Sequence, residues 1–301
     1  MGKKGEPIDG VMVIDKPQGM GSNWALQITR RLINAQKAGH TGTLDPMATG
    51  ILPLAFGNAT KYSADLLNAD KRYTATVRFG AATDTMDAMG TVTATSDRIP
   101  SRDEIEAVLG QFTGEVMQVP PMYSAIKHEG KNLYELARRG VEIEREPRKI
   151  HIYWLKLIDF AGDTAVIDAR VSKGTYIRVL ADDLGKALGT YAHLTALRRT
   201  EVGDLTIEDA VPFSVIDDPA KSIEERRAYL KGADYLLKSL PEITLGEVDA
   251  RRLRNGQRLA IGSTVRGSAR AYGPNRQLLG VVEVDFRGTV HPSRLNKFTT
   301  D

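Results

Sequence analysis

The chain has 301 residues, of which 42% are hydrophobic and 26% charged, and it contains no cysteine. At roughly 150 residues per domain this is about two domains. The balanced composition excludes disordered, collagen-like and coiled-coil classes, and the lack of cysteine excludes disulfides, thiolate zinc sites, iron–sulfur clusters and cysteine nucleophiles. The formal net charge of +3 conceals a strong asymmetry, −7 over residues 201–250 and +7 over residues 251–301. A basic block of that kind suggests a polyanion such as nucleic acid or an anionic membrane surface, unless acidic and basic surfaces offset one another within the protein.

In chain order, the opening MGKKGEPIDG has no apolar signal stretch, and no window reaches the roughly 18 apolar residues of a membrane span, so a soluble cytoplasmic protein is expected. VMVID (11–15) predicts a short buried strand. SNWALQITRRLIN (22–34) predicts a helix capped by Ser22, with Trp24, Ile28 and Leu32 along one stripe and Arg30 and Arg31 beside it. KAGHTGTLDPMATG (37–50) has loop chemistry, with Gly39, Gly42, Gly50 and Pro46. ILPLAF (51–56) predicts a buried strand and GNATKYSADLLN (57–68) a helix. KRYTATVRFG (71–80) is an alternating strand, Tyr73, Ala75, Val77 and Phe79 opposing Thr74, Thr76 and Arg78.

Ser101 with Glu104 three residues on is a capping-box signature, opening a helix over 101–112. Residues 118–148 hold a proline pair, then Lys127, His128, Lys131, Arg138 and Arg139 among Tyr123 and Tyr134. They predict an exposed basic flap with a short helix at 131–139. KIHIYWLKLIDF (149–160) and DTAVIDARVS (163–172) form a hairpin around Ala161 and Gly162, and a helix follows at about 176–188. The acidic DDPAKSIEERR (217–227) with Pro241 reads as a linker region. From 241 onward, short strand-like runs separated by Gly and Pro predict a small β-rich domain, giving a division into residues 1–240 and 241–301.

Among residues that carry chemistry, Asp45 stands out, a carboxylate in a Gly-rich loop between Leu44 and Pro46. Such a loop can fix a side chain at a set angle while leaving it open to substrate. A carboxylate that is ionised at neutral pH is a ready nucleophile, although Asp before Pro is also an ordinary turn residue. Arg178 follows a Gly-Thr turn at the start of a predicted helix, where it either reaches into a cleft and orients a carboxylate or lies on the surface. Tyr73 faces inward, as a core aromatic or as a stacking face for a base. His40 shares the loop of Asp45, and none of the five histidines has metal-ligand spacing, so no metal is expected. Asp84 and Asp87 invite a metal or general acid/base reading, but their spacing in a polar, Gly-ended loop reads mainly as turn capping. The pairs Arg138/Arg139 and Arg198/Arg199 are phosphate contacts or solvated charges. The phosphate loop, the dinucleotide fingerprint and the serine-hydrolase elbow are all missing, and no cofactor is expected.

Taken in order, GVMVIDKPQGMGSN (10–23), AGHTGTLDPMATGILPL (38–54), NADKRYTATVRFG (68–80), TDTMDAMG (83–90), PPMYSAIKHEGKNLYELARRG (120–140), SKGTYIRVLADDLG (172–185) and AHLTALRRTEVG (192–203) resemble the TruB type of bacterial tRNA pseudouridine synthase. The resemblance covers most of the first 205 residues and is weak beyond them. It implies an α+β fold, with a catalytic domain on a mixed, largely antiparallel sheet, a small PUA-like C-terminal domain, and residues around 123–145 as a mobile flap over the T arm. It also implies isomerisation of uridine to pseudouridine at tRNA position 55. Asp45 then matches the catalytic aspartate, Tyr73 the tyrosine stacked on the target base and Arg178 the arginine paired with the aspartate. His40, Tyr176 and Leu197 match positions around the flipped nucleotide. The expected partner is the T arm of tRNA, with no membrane and no protein partner required, and the chain is expected to be monomeric. The alternative is a non-catalytic tRNA-binding or tRNA-folding protein on the same scaffold.

Overall fold

The computed structural model describes residues 5–124 and 126–297. The ends of the expected opening and tail, Ala125 of the expected flap, and the side chains of His128 and Lys131 lie outside the described residues.

Alternating and continuous apolar runs assemble a ten-stranded sheet. Its central order is Val211–Pro212, Gly10–Lys16, Thr49–Phe56, Ala192–Val202, Lys71–Phe79, Thr164–Val171, Arg148–Ala161 and Gly114–Gln118. Thr49–Phe56 runs parallel to Ala192–Val202, and Gly10–Lys16 parallel to Val211–Pro212; the other pairings are antiparallel. The sheet is therefore mixed and largely antiparallel. Gly50, at φ +108°, pairs in register with Arg199 of the neighbouring strand, and a Cβ there would sit 2.1 Å from the carbonyl oxygen of Arg199. Only glycine fits.

One face of the sheet packs Leu52, Leu54, Ala75 and Val77 against Leu26 of the helix Ser22–Leu32, Ile105 of Arg102–Leu109, and Leu180 and Leu184 of Ile177–Ala187. On the other face Val11, Val13, Ile51 and Val202 meet Tyr62, Leu66, Leu236 and Leu237. The C-terminal part is a five-stranded sheet, Glu242–Thr244, Gly267–Tyr272, Leu278–Val284, Thr289–Leu295 and Leu259–Ala260 in spatial order, with the helix Glu247–Arg254 packed on it. Val281 from this sheet joins the second apolar cluster of the larger one. Polar contacts close the same seam, with Tyr62 Oη to Asn296 Oδ1 at 2.6 Å and Arg294 on both carboxylate oxygens of Asp65 at 2.7 and 3.0 Å. The α+β class and β-rich ending expected from the sequence are present.

Several local expectations change. Ser22 does not cap its helix; its hydroxyl bonds the backbone N–H and carbonyl of Leu44, and Gly21 precedes the first turn. Trp24 is 63% exposed, and the buried positions are Ser22, Ala25, Leu26 and Thr29. The helix is turned toward the loop it must brace. Residues 57–68 split into a 3₁₀ segment Gly57–Tyr62 and a short α-helix Ser63–Asn68. The flap has a short hairpin, Lys127–His128 with Lys131–Asn132, and a helix confined to Leu133–Ala137. The capping box at Ser101 and Glu104 is present.

Residues 217–227 are not a free linker. Ser222 and Glu225 form a capping box for Ile223–Arg227, and Arg226 is buried with its guanidinium on the carbonyls of Ile216, Asp218 and Lys221. Arg227 pairs with Glu6, and Lys231 bridges to Val11. The acidic and basic excesses of the last hundred residues also partly offset one another. Glu242 holds Arg270 and Arg276, and Asp249 holds Arg252.

Candidate active site

The loop between Ala38–His40 and Thr49–Phe56 is fastened from several sides. Asp45 O accepts from Ala48 N at 3.0 Å, so Asp-Pro does form a turn, while Gly19 N reaches Pro46 O at 2.7 Å. Ser22 Oγ accepts from Leu44 N at 2.7 Å. Arg199, 1% exposed, donates from Nε and Nη2 to Ile51 O at 3.0 and 2.9 Å and from Nη2 to Gly42 O at 3.2 Å. Arg199 is thus neither a phosphate contact nor a solvated charge; it braces the loop from inside. Its neighbour Arg198 lies on the opposite side of the strand and holds Asp15 at 2.7 and 3.1 Å.

The turn leaves the Asp45 carboxylate partly open and aims it at Arg178, with Oδ2 2.9 Å from Nε. Arg178 is the second residue of Ile177–Ala187 and its side chain is 4% exposed. Its remaining donors meet Thr85 O at 3.1 Å and Tyr123 O at 2.7 Å, and Asp87 Oδ2 lies 3.7 Å from Nε. A buried guanidinium with every side engaged can hold one carboxylate at a fixed angle. Asp84 and Asp87 do act as turn caps, accepting from the backbone N–H of Thr91 at 2.8 Å and Met89 at 3.0 Å, and Asp87 in addition faces Arg178.

Asp45, Tyr73, Tyr176, Arg178 and Leu197 line one cavity of about 330 Å³, within the range of small-ligand pockets. His40 is not in the lining. It stands half-buried one strand away, with burial pushing its imidazole pKa below the ordinary value. Tyr73 enters from the inward side of its strand, opposite Arg199 in register, and Leu197 opposes Ala75. Burial raises the Tyr176 phenol. Among the described residues no group of three or more His, Asp or Glu is arranged to hold a metal.

Two lysines escaped the sequence reading. Lys71, on the cavity wall, gives its ammonium to the carbonyls of Leu66, Leu67 and Ala69 at 3.1, 2.9 and 2.6 Å, closing the C-terminus of Ser63–Asn68. Burial lowers its pKa to about 8, with Arg199 pushing the same way. Lys16 is fully buried, donates to Pro17 O and Met20 O, and is also lowered to about 8 by burial, against the opposing pull of Asp45. The alternation that placed Tyr73 inward puts Lys71 on the same face.

The mixed sheet thus holds an aspartate–arginine pair in the wall of a small cavity, and a β-rich C-terminal sheet packs beside it. Among solved structures the fold is similar to a Cbf5-Nop10-Gar1 complex (TM-score 0.71, 24% identity, 95% of this chain and 84% of that one). It is also similar to an H/ACA RNP bound to a substrate RNA containing 2'-deoxyuridine (TM-score 0.72, 21% identity, 98% and 90%). Residues 30–177 match the TruB family pseudouridylate synthase N-terminal domain, 178–238 the tRNA pseudouridylate synthase B C-terminal domain, and 241–295 the pseudouridine synthase II TruB C-terminal domain. Curated relatives called tRNA pseudouridine synthase B are 48% identical in Dechloromonas aromatica (96% of this chain, 95% of the relative) and 50% identical in Aromatoleum aromaticum (96% and 92%). The chain belongs to the TruB family of pseudouridylate synthases.

Proposed function

We propose that this protein isomerises uridine to pseudouridine at position 55 in the T loop of tRNA. The observation that carries the reading is the Asp45–Arg178 pair, a partly open carboxylate locked on a buried guanidinium in a cavity that also presents Tyr73. The reaction breaks the N1–C1′ bond, turns the uracil and joins C5 to C1′; the C5 hydrogen leaves and N1 gains a proton, so mass is unchanged. A uridine stacked in a folded loop is out of reach, and extruding it costs a few kcal/mol that contacts in the cavity must offset. Tyr73 offers a stacking face worth about 1–3 kcal/mol. Asp45 acts at the sugar or base with Arg178 orienting it, Tyr176 and Leu197 shape the walls, and His40 contributes from outside the cavity at the RNA.

In this reading residues 1–240 form the catalytic domain and 241–301 a PUA-like RNA-binding domain. Residues 123–145 are a flap over the T arm, supported by exposed Lys127 and by Arg138 lying 5.6 Å from the Tyr134 ring centroid. The enzyme works as a cytoplasmic monomer. The test is release of the uridine C5 hydrogen from an unmodified tRNA transcript without added metal or nucleotide. Asp45→Asn should abolish release while tRNA binding stays within about tenfold, or about 1.4 kcal/mol. A wild-type chain that binds tRNA without releasing the hydrogen would instead be the non-catalytic folding protein.

A further inference from the structure

Gln118 ends the edge strand Gly114–Gln118 and is the point from which the chain runs out toward the flap. It is a polar residue at 5% exposure, so it cannot meet RNA directly. Its amide is spent on one residue, with Oε1 accepting from Tyr176 N at 2.8 Å and Nε2 donating to Tyr176 O at 3.1 Å. Tyr176 sits in extended backbone between the Lys173–Gly174 turn and the helix Ile177–Ala187, outside any strand. A primary amide carries a donor and an acceptor side by side, the same pair that a neighbouring strand would offer. Two residues on, Arg178 returns the contact by donating to Tyr123 O. The start of the flap and the Tyr176–Arg178 segment are thereby stapled twice, each by a side chain of one on the backbone of the other.

We propose that Gln118 is a positioning residue for the reaction: its amide fixes the Tyr176 backbone, and through it the Tyr176 ring and the neighbouring Arg178, in the geometry that Asp45 needs. This rests on the reading of Tyr176 and Arg178 given above. No other side chain of similar size makes both bonds at neutral pH. Methionine makes neither. A glutamate makes both only as the protonated acid, whose carbonyl accepts and whose hydroxyl donates; the carboxylate has no donor and faces the Tyr176 carbonyl.

The test is single-turnover hydrogen release at saturating enzyme, with tRNA affinity and thermal melting measured alongside. Gln118→Met should lower the rate at least tenfold at pH 7.5 with the Kd within about twofold. Gln118→Glu should approach the wild-type rate within about threefold at pH 5, where burial and the facing Tyr176 carbonyl favour the neutral acid against the pull of Arg148 and Arg178, and fall at least tenfold below it by pH 8. A Gln118→Met rate within twofold of wild type, a loss that appears only in Kd, or a Gln118→Glu to wild-type ratio that does not change with pH overturns the proposal. If Gln118→Met melts below the assay temperature, the pH titration of Gln118→Glu decides alone. Tyr176→Ala separates the two layers. If it keeps the wild-type rate, the reading of Tyr176 fails; if it loses the rate while the Gln118 variants do not, only the positioning role fails.

Discussion

Arg199 faces Tyr73 across adjacent strands and reaches past it to the carbonyl of Gly42, three residues before Asp45. A cation in that position joins Tyr73 and the Asp45 loop through one buried side chain. Burial lowers the Arg199 pKa, while the Tyr73 hydroxyl favours its charged form. Arg199→Met should destabilise the fold by about 2–3 kcal/mol, because carbonyls of Ile51 and Gly42 lose charged donors. The salt dependence of tRNA binding should not change, since no phosphate reaches this group. A urea melt and a salt titration check both, and a flattened salt slope would return Arg199 to the phosphate contacts.

Lys71 and Lys16 make stability depend on alkaline pH. Both are lowered to about 8 in the fold, against an ordinary lysine value near 10.4. Between those values the unfolded chain binds more protons, so each lysine's contribution to stability is lowest below pH 8 and rises as pH climbs toward 10.4. The stability of wild type minus that of Lys71→Met should therefore increase from pH 7.5 to pH 9.5. Urea midpoints at the two pH values measure it, and a constant difference would mean that the fold does not lower the Lys71 pKa. The charged groups facing Lys71 are Arg199, Asp70 and Lys173.

The sheet was legible because its strands alternate cleanly: Tyr73, Ala75, Val77 and Phe79 are all buried as the pattern requires. Asp45 and Arg178 were legible as residue types in unusual loops, but their pairing spans 133 positions and no local rule encodes it. Gln118 and Arg199 were not legible at all as supports, because their partners are backbone atoms of distant segments, which carry no side-chain signature. Ser22 misled for the opposite reason. A serine ahead of an apolar run is a local cap signal, and here the loop at Leu44 outcompetes the helix for its hydroxyl.

In the tail, the basic excess divides into paired and open arginines. Arg270 and Arg276 are tied to Glu242, whereas Arg251 and Arg258 are exposed. Replacing Arg251 and Arg258 together by Gln should weaken tRNA binding and reduce the salt slope by about 2 if each meets a phosphate. Arg270→Gln should leave the slope unchanged. Point substitutions test the tail better than deleting it, because removal of 241–301 would strip Val281 from the cluster of Val11 and Tyr62 and unfold part of the larger sheet. An unchanged slope in the double variant would place RNA contact elsewhere.

The orientation of Ser22–Leu32 also decides which of its residues matter for stability. Leu26 is 5% exposed against the sheet, while Trp24, the largest side chain of the helix, is 63% exposed. Leu26→Ala should cost about 2–5 kcal/mol through lost burial and the cavity left behind. Trp24→Ala should stay within about 0.5 kcal/mol of wild type, despite removing far more apolar surface. Denaturant melts of the two variants compare them directly. Equal losses would mean that Trp24 packs into the core, as its spacing with Ile28 and Leu32 suggests, and that the helix face turned toward the Asp45 loop is not the one Ser22 defines.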